Sequence, residues 1–408
     1  MILKDKRIVL GVTGSIANYK VADLASKLTQ AGGLVDVIMT DAAKQFVTPL
    51  TFQAVTGRSV YDSLWQSSEG AGFPTHIAHV GLGEGADAIL IAPATANTLA
   101  KLASGRADDL LSVTFLAARC PVIVAPAMDG AMYEHPATQA NVETLRQYGV
   151  HIIEPEWGRF ASGLEGRGRL PDREVLMGTL RNVLGKHQGA LRGKRVVVTA
   201  GGTREALDPV RFIGNHSSGK QGYAIAQAAI DAGADVKLIS TVTLPSPVGA
   251  ELVVVHSAHE LRDAVLNNIQ CDALIMAAAV ADFRPAQQAT QKIKKDGAAT
   301  SLELARNDDI LALVGEQRVT SGFPKISVGF AAETQDLRQN AAKKLTKKNA
   351  DLIVANDLTA SGAGFAGDTN IVTFIQQDAE PQDYPLRSKD AVARQIVEWV
   401  AQKLGVKA

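Results

Sequence analysis

The sequence predicts an α/β protein built from two doubly wound parallel sheets, and three observations carry that reading. A chain of 408 residues exceeds the ~250–300 residues at which one hydrophobic core usually stops growing. Short, continuously apolar, β-branched runs alternate with amphipathic helical stretches along the whole length, the pattern of parallel strands covered on both faces. The alternation pauses once, in "NVLGKHQGALRGK" (182–194), where Gly185, Gly189 and Gly193 interrupt the apolar periodicity. The expected organisation is a first domain over 1–186, a linker over 187–193 and a second domain over 194–408.

In chain order, the first half offers strands in "RIVLGVTG", "LVDVIMT", "ADAILIAP", "CPVIVAPAM" and "GVHIIEP". The second repeats the habit with "RVVVTAGG", "DVKLIST", "AELVVVH", "DALIMAAAV", "KISVGFAAE" and "DLIVAND". A late hairpin-like stretch, "TNIVTFIQQ", precedes a final helix whose Val392, Ile396, Val400 and Leu404 recur at i+4 and predict docking on a core.

Composition narrows the function. Lys+Arg and Asp+Glu both number 42, so no global field recruits nucleic acid or an anionic membrane, and any phosphate recognition must be local. The N-terminal apolar stretch is broken by charge and glycine, and no run approaches the ~18 residues of a membrane span, which predicts a cytoplasmic protein. Cys120 and Cys271 are the two cysteines; both start apolar strands and read as buried thiols, which leaves no disulfide framework or cysteine metal site.

In doubly wound sheets ligands sit beyond the carboxyl ends of the strands, where helix N-termini offer free N–H donors. "GVTGSIANYK" (11–20) follows the first strand and opens a helix. Taken alone it is a phosphate loop or an ordinary tight turn. Neither it nor "GNHSSGKQG" (214–222) has the GxGxxG spacing, and GxxxxGK at 214–220 is followed by Gln221 where the P-loop needs Ser or Thr, which argues against an NAD(P) oxidoreductase and a Walker-type ATPase.

Together, "GVTGSIANYK", "PTHIAHVGLGEGADAILIAPATANTLAKLASGRADDLL", "APAMDGAMYEHPAT" and "ASGLEGRGRLP" resemble the flavin-dependent cysteine decarboxylases. "VTAGGTREALDPVRFIGNHSSGKQGYAIA", "AAAVADFRP", "KIKK", "NDDIL", "GFAAET" and "LIVAND" resemble phosphopantothenate:cysteine ligase. The order of the halves is similar to that of the bifunctional enzymes of bacterial coenzyme A biosynthesis. The resemblance implies two Rossmann-like domains, the first of the decarboxylase type and the second of the ligase type. It implies CTP-dependent joining of L-cysteine to 4'-phosphopantothenate through an acyl-cytidylate, then FMN-dependent decarboxylation of 4'-phosphopantothenoylcysteine to 4'-phosphopantetheine. The chemistry is coherent. An amide-linked cysteine carboxylate has no electron sink, but oxidation of the thiol to a thioaldehyde places C=S β to the carboxylate, and the resulting enethiol is reduced by the hydride returned from the flavin.

The resemblance implies residue roles in the first half. Gly14, Ser15 and Ile16 would hold the FMN phosphate, with Thr40, Thr95 and Asn97 lining the cofactor. His79, eight residues before Asp87, would be the base or thiol-orienting group, with His76 as second choice; a histidine satisfied at a helix end is the plain alternative. Met128, Arg167 and Arg169 would contact substrate. Two positions depart from the commonest pattern. Asp129 replaces the asparagine that binds the substrate carboxylate, so it must be protonated, turned away or shielded by Arg167 or Arg169. Ser162 replaces the cysteine that donates the last proton, in a loop expected to be flexible through Gly163, Gly166 and Gly168.

In the second half Ser217, Ser218, Gly219 and Lys220 would hold 4'-phosphopantothenate, with a serine also able to cap the helix, and Asn215 would stabilise the acyl-cytidylate and its oxyanion. Lys292, Lys344 and Lys348 would meet the CTP phosphates, while Lys294 and Lys295 read as solvated. Ala278, Asp282, Asn307, Ile310 and Phe330 fall in the motifs around CTP. Mg2+ is expected on the triphosphate rather than in a protein metal site. The implied assembly is a homo-oligomer, a dodecamer combining trimeric and dimeric contacts. The alternative function is an active ligase fused to a flavoprotein module whose decarboxylase activity is altered or lost.

Overall fold

The computed structural model describes residues 2–65, 77–294, 301–333, 337–357, 367–377 and 379–406. The chain divides between His187 and Gln188 into two compact units. The first contains β1 (Arg7–Val12), α1 (Asn18–Gln30), β2 (Leu34–Met39), α2 (Pro49–Thr56), β3 (Val60–Tyr61), α3 (Ala78–Gly85), β4 (Ala88–Ala94), α4 (Ala96–Ser104), α5 (Leu110–Leu116), β5 (Val122–Pro126), α6 (Gly130–Glu134), α7 (Pro136–Gln147), β6 (His151–Ile152), β7 (Glu156–Arg159), β8 (Glu165–Arg169) and α8 (Arg173–Gln188).

Its six-stranded sheet has the order β3-β2-β1-β4-β5-β6, with every pair parallel. Strand residues alternate between two cores, as a period of two requires. Ile8, Leu10 and Val12 share a core with Leu24 and Leu28 of α1 and Leu180 and Leu184 of α8. Val9, Ile89 and Ile91 share the other with Leu82, Leu99, Leu111 and Leu145. The strand order reverses between β1 and β4, which places the binding crevice at their carboxyl ends.

The second unit contains β9 (Arg195–Ala200), β10 (Arg204–Ala206), β11 (Phe212–Gly214), α9 (Lys220–Asp231), β12 (Asp235–Ser240), β13 (Ala250–Val254), α10 (Ala258–Leu266), β14 (Ala273–Met276), β15 (Phe283–Pro285), β16 (Leu304–Arg306), α11 (Ile310–Ser321), β17 (Ile326–Glu333), α12 (Leu337–Lys347), β18 (Leu352–Asp357), β19 (Thr369–Gln376), β20 (Gln382–Ser388) and α13 (Lys389–Lys403). Its eight-stranded sheet runs β13-β12-β9-β14-β17-β18-β19-β20. The strands are parallel through β18, and β19 and β20 close the edge as an antiparallel hairpin. Val392, Ile396 and Val400 of α13 are fully buried, as their spacing predicts. No described helix is long and apolar enough to cross a membrane.

The stretch read as a linker is mostly structured. Helix α8 continues to Gln188 with Leu184 and Gly185 buried, so the glycine does not end it. Leu191 is fully buried in a core of the second unit, and its N–H donates to the Ala232 carbonyl at 2.6 Å. A fragment comprising residues 189–408 is therefore expected to fold, and Leu191→Ala within it to cost about 2–5 kcal/mol. Urea unfolding measures this; an unchanged midpoint would remove Leu191 from the core.

The cysteine reading holds for Cys271, which is buried, whereas Cys120 is half-buried. Burial pushes the thiols up to about 11 for Cys120 and about 12 for Cys271, away from nucleophilic chemistry.

Candidate functional sites

In the first unit the loop after β1 is fastened to the end of β4. Thr13 Oγ1 donates to the Pro93 carbonyl at 2.7 Å and accepts from the Thr95 N–H at 3.1 Å. Only glycine fits at position 14, where a Cβ would lie 2.5 Å from that of Ala42. Helix α1 then begins with no side chain capping it, so its N-terminus offers N–H donors and a positive dipole end.

Beside this loop is a cleft of about 610 Å³, lined by Ser15, Ile16, Tyr19 and Lys20 on one side and by Met128, Asp129 and the β7–β8 hairpin on the other. Two contacts seat that hairpin. The Met128 N–H donates to the Gly168 carbonyl at 2.9 Å, and the Phe160 ring lies over Gly130 and Gly166. Gly166 and Gly168 are thus close-packing positions within a strand, not the flexible loop expected; Gly163 alone of the three has a left-handed φ, +86°.

The two departing residues meet in this cleft. Ser162 Oγ donates to Asp129 Oδ2 at 2.8 Å, while Asp129 Oδ1 accepts the Ala131 N–H at 3.4 Å and caps α6. Arg169 lines the cleft with Arg159, which the sequence reading missed; Arg167 is exposed and does not line it. Thr40 and Thr95 stand at the ends of β2 and β4 and Asn97 in the first turn of α4, all outside this lining. Thr95 caps α4, accepting from the Thr98 N–H at 3.3 Å, and Thr40 Oγ1 accepts from the Ala43 N–H at 3.3 Å. His79 is half-buried in the first turn of α3 and does not line the cleft with Asp129 and Ser162. His76 lies outside the described residues.

In the second unit a cavity of about 570 Å³ opens at the carboxyl ends of β14, β17 and β18. Asn215, Ser217, Ser218, Gly219, Ala278, Asp282, Asn307, Ile310, Phe330, Lys344 and Lys348 all line it. Backbone approach makes this convergence possible: a Cβ on Gly202 would lie 2.5 Å from the Asn215 carbonyl oxygen. Asn215 Nδ2 donates to the Val280 carbonyl at 3.0 Å, and Asn307 Nδ2 to that of Ala281 at 2.8 Å. The amide planes are therefore fixed against the segment after β14, and one hydrogen on each amide nitrogen is left over. Helix α9 is capped not by a serine but by Gly219, at φ +76° and with no side-chain hydrogen bond. Lys344 and Lys348 are one helical turn apart, the Lys348 N–H donating to the Lys344 carbonyl at 3.0 Å, and Lys348 Nζ pairs with Asp309 at 3.1 Å.

Two predicted lysines lie outside this lining. Lys220 Nζ pairs with Asp368 at 2.6 Å. Lys292 is exposed, because the adjoining Ile293 is tied elsewhere: its N–H donates to Asp208 at 3.2 Å and its carbonyl accepts from Arg211 at 3.0 Å. The Arg211 guanidinium holds the Asp208 carboxyl well below the usual range, assisted by the N–H groups of Val210, Arg211 and Ile293. Lys294 is exposed as expected; Lys295 lies outside the described residues.

The cavity also contains residues the sequence reading missed. Lys389 is only 6% exposed and its ammonium donates to the Gly367 carbonyl. Burial, then the nearby Lys220 charge, lower its pKa. Gln221 Nε2 donates to the Lys389 carbonyl at 3.1 Å, so its Oε1 must be the acceptor for Asn370 Nδ2 at 2.9 Å. That chain fixes the orientation of Asn370, whose Oδ1, like that of Asn356, is buried with no partner among the described residues. Among those residues no cluster of His, Cys, Asp and Glu is placed to hold a metal ion.

Each unit matches a family model of its own. The flavoprotein model covers residues 2–185 and the DNA/pantothenate metabolism flavoprotein C-terminal domain model covers 191–404. The coenzyme A biosynthesis bifunctional protein CoaBC of Bacillus subtilis (strain 168) is 47% identical, over 98% of this chain and 97% of the relative. The chain belongs to the CoaBC family. The Vibrio cholerae CoaBC is 44% identical over 98% of this chain and 99% of its own. A crystal structure of a CoaBC C-terminal domain is 40% identical, covering 53% of this chain and 99% of that one, with a TM-score of 0.45. The CoaBC relatives run through both units.

Proposed function

We propose that the second unit joins L-cysteine to 4'-phosphopantothenate with CTP, through an acyl-cytidylate, and that the first unit decarboxylates the product to 4'-phosphopantetheine with FMN. The observation that carries this reading is the meeting in one cavity of Asn215, Asn307, Lys344 and Lys348, which come from three separated stretches of sequence.

A carboxylate must be activated before an amine can displace oxygen from it, and activation by a nucleotide releases pyrophosphate. Lys344 and Lys348 supply positive charge where the triphosphate is attacked, with Mg2+ entering on the nucleotide itself. Lys389 adds a buried cation beside the start of α9, where no side chain bonds the first N–H groups, a suitable position for phosphate. Asn215 has one amide hydrogen committed to Val280 and one left for the oxyanion that forms as cysteine attacks.

The first unit fits a flavin mononucleotide. The uncapped α1 N-terminus and the Gly14 turn suit its phosphate, and the exposed Ile16 and Tyr19 offer apolar surface for a ring. When bound, that group supplies the two-electron exchange that makes the carboxylate a leaving group. Met128 and Asp129 form the opposite wall, and Lys20, Arg159 and Arg169 offset negative charge from the substrate. The alternative of a silent flavoprotein module has no structural observation in its favour, since both departing residues line the cleft and face one another. We keep the dodecamer as the proposed assembly.

The test separates the half-reactions. Lys344→Gln is expected to slow pyrophosphate release from CTP and 4'-phosphopantothenate. Asn215→Ala is expected to allow that release but slow capture by cysteine about a hundredfold, the usual cost of one oxyanion donor. Equal slowing of both steps in both variants would refute this division of roles.

A further inference from the structure

We propose that Asp129 and Ser162 form a single proton-delivering unit, in which Asp129 is the acid that recharges the Ser162 hydroxyl. This rests on the decarboxylase reading of the first unit. Ser162 Oγ lies 2.8 Å from Asp129 Oδ2, across 33 residues of sequence. The spacing is held by the scaffold. Asp129 is fixed as the cap of α6, and the tip carrying Ser162 is seated by the Met128–Gly168 hydrogen bond and by Phe160 against Gly130 and Gly166.

Decarboxylation replaces a C–CO2 bond by a C–H bond, so a proton must reach the carbon that loses CO2. A serine hydroxyl alone is a poor acid for that task; a carboxyl group behind it removes the difficulty. When Asp129 is protonated its O–H donates to Ser162 Oγ, and the serine hydrogen turns toward the cleft. The serine proton passes to the α-carbon of the enethiolate, the C=C electron pair becomes the new C–H bond, and C=S re-forms. Ser162 simultaneously takes the Asp129 proton, and its hydroxyl again donates to Asp129 Oδ2. The two electrons that return C=S to the thiol level would be the pair withdrawn earlier from the same carbon by a flavin held at the α1 N-terminus, so no outside reductant is needed. Asp129 is reprotonated by the thiol proton released when the next substrate is oxidised, and the product thiolate takes one proton from water, the one the net reaction consumes. Ser162 is the catalytic residue; Asp129 acts through it.

Single-turnover release of CO2 and formation of 4'-phosphopantetheine, measured on the flavin-loaded full chain with 4'-phosphopantothenoylcysteine, tests the unit. In Ser162→Ala and in Asp129→Asn, product formation is expected to lag CO2 release by about a hundredfold, within the usual range for a general acid. The double variant should be no slower than the slower single, because the two act as one. Ser162→Cys should restore the Asp129→Asn protein, since a thiol is acidic enough to donate unaided. A lag is a signature that simple distortion of the cleft would not give, as distortion slows both readouts together. Product keeping pace with CO2 in Asp129→Asn, additive losses, or no rescue by Ser162→Cys would overturn the proposal. An unsubstituted protein that binds flavin but releases no CO2 would overturn the decarboxylase reading and this proposal with it.

Discussion

Gly219→Ala is expected to abolish CTP-dependent ligation while leaving decarboxylation of preformed 4'-phosphopantothenoylcysteine intact. Gly219 caps α9 at φ +76°, a conformation that costs an L-residue roughly 1–2 kcal/mol. The added methyl would also lie 2.4 Å from Val242 Cγ2, so the loop must move. That loop carries Asn215, Ser217 and Ser218 into the cavity, and catalysis is sensitive to displacements of an ångström. Ligation should fall about a hundredfold or more, and decarboxylation should stay within about twofold, because the two sites share no residues. Pyrophosphate and CO2 assays on the same preparation measure both. Parallel loss of the two activities would contradict the assignment of separate sites.

Gly168→Ala is the mirror experiment. Its Cβ would lie 2.2 Å from the Met128 carbonyl oxygen and 3.2 Å from the Phe160 ring. Backbone cannot step aside as a flexible side chain can, so β8 must shift, at a cost of roughly 1–3 kcal/mol in overpacking. The shift breaks the Met128–Gly168 hydrogen bond and carries Ser162 away from Asp129. Decarboxylation should fall by at least about a hundredfold with ligation unchanged. A Gly168→Ala protein with normal CO2 release would show that the seating of the hairpin is irrelevant to the chemistry.

The longer parallel strands were legible because each is a continuous apolar run, and burial on both faces leaves no other use for such a run; the parallel strand β3, two residues long, was not. The ribbons were not. In β7–β8 glycines and charges obscure the alternation, since that hairpin is held by backbone approach at Gly168 and by one aromatic ring rather than by a buried apolar face. The pairs β10–β11 and β15–β16 have three residues per strand, too few to show a period. Gly185 misled in the opposite sense. It sits inside α8, where its lack of a side chain is tolerated in a buried position.

The sites divide the same way. Asn215 and Asn307 directly follow strands and Phe330 lies in the carboxyl half of β17, so topology alone brings them to one edge of the sheet. Lys292 follows β14 just as closely in sequence, but β15 intervenes and the Asp208–Arg211 turn fixes the chain elsewhere. Lys389 and Asn370 come from elements beyond the parallel strands, and no local signal marked them. Asp129 and Ser162 stood out in the sequence separately; their hydrogen bond required the fold.

The most direct test of two consecutive reactions in one chain uses the full-length protein with FMN, Mg2+, CTP, 4'-phosphopantothenate and cysteine carrying radiocarbon in its carboxyl group. Pyrophosphate is expected first, labelled CO2 after a lag, and equal final amounts of both, with no labelled CO2 when CTP is omitted. Labelled CO2 released without CTP, or pyrophosphate accumulating while all the label stays in the cysteine adduct, would contradict the account.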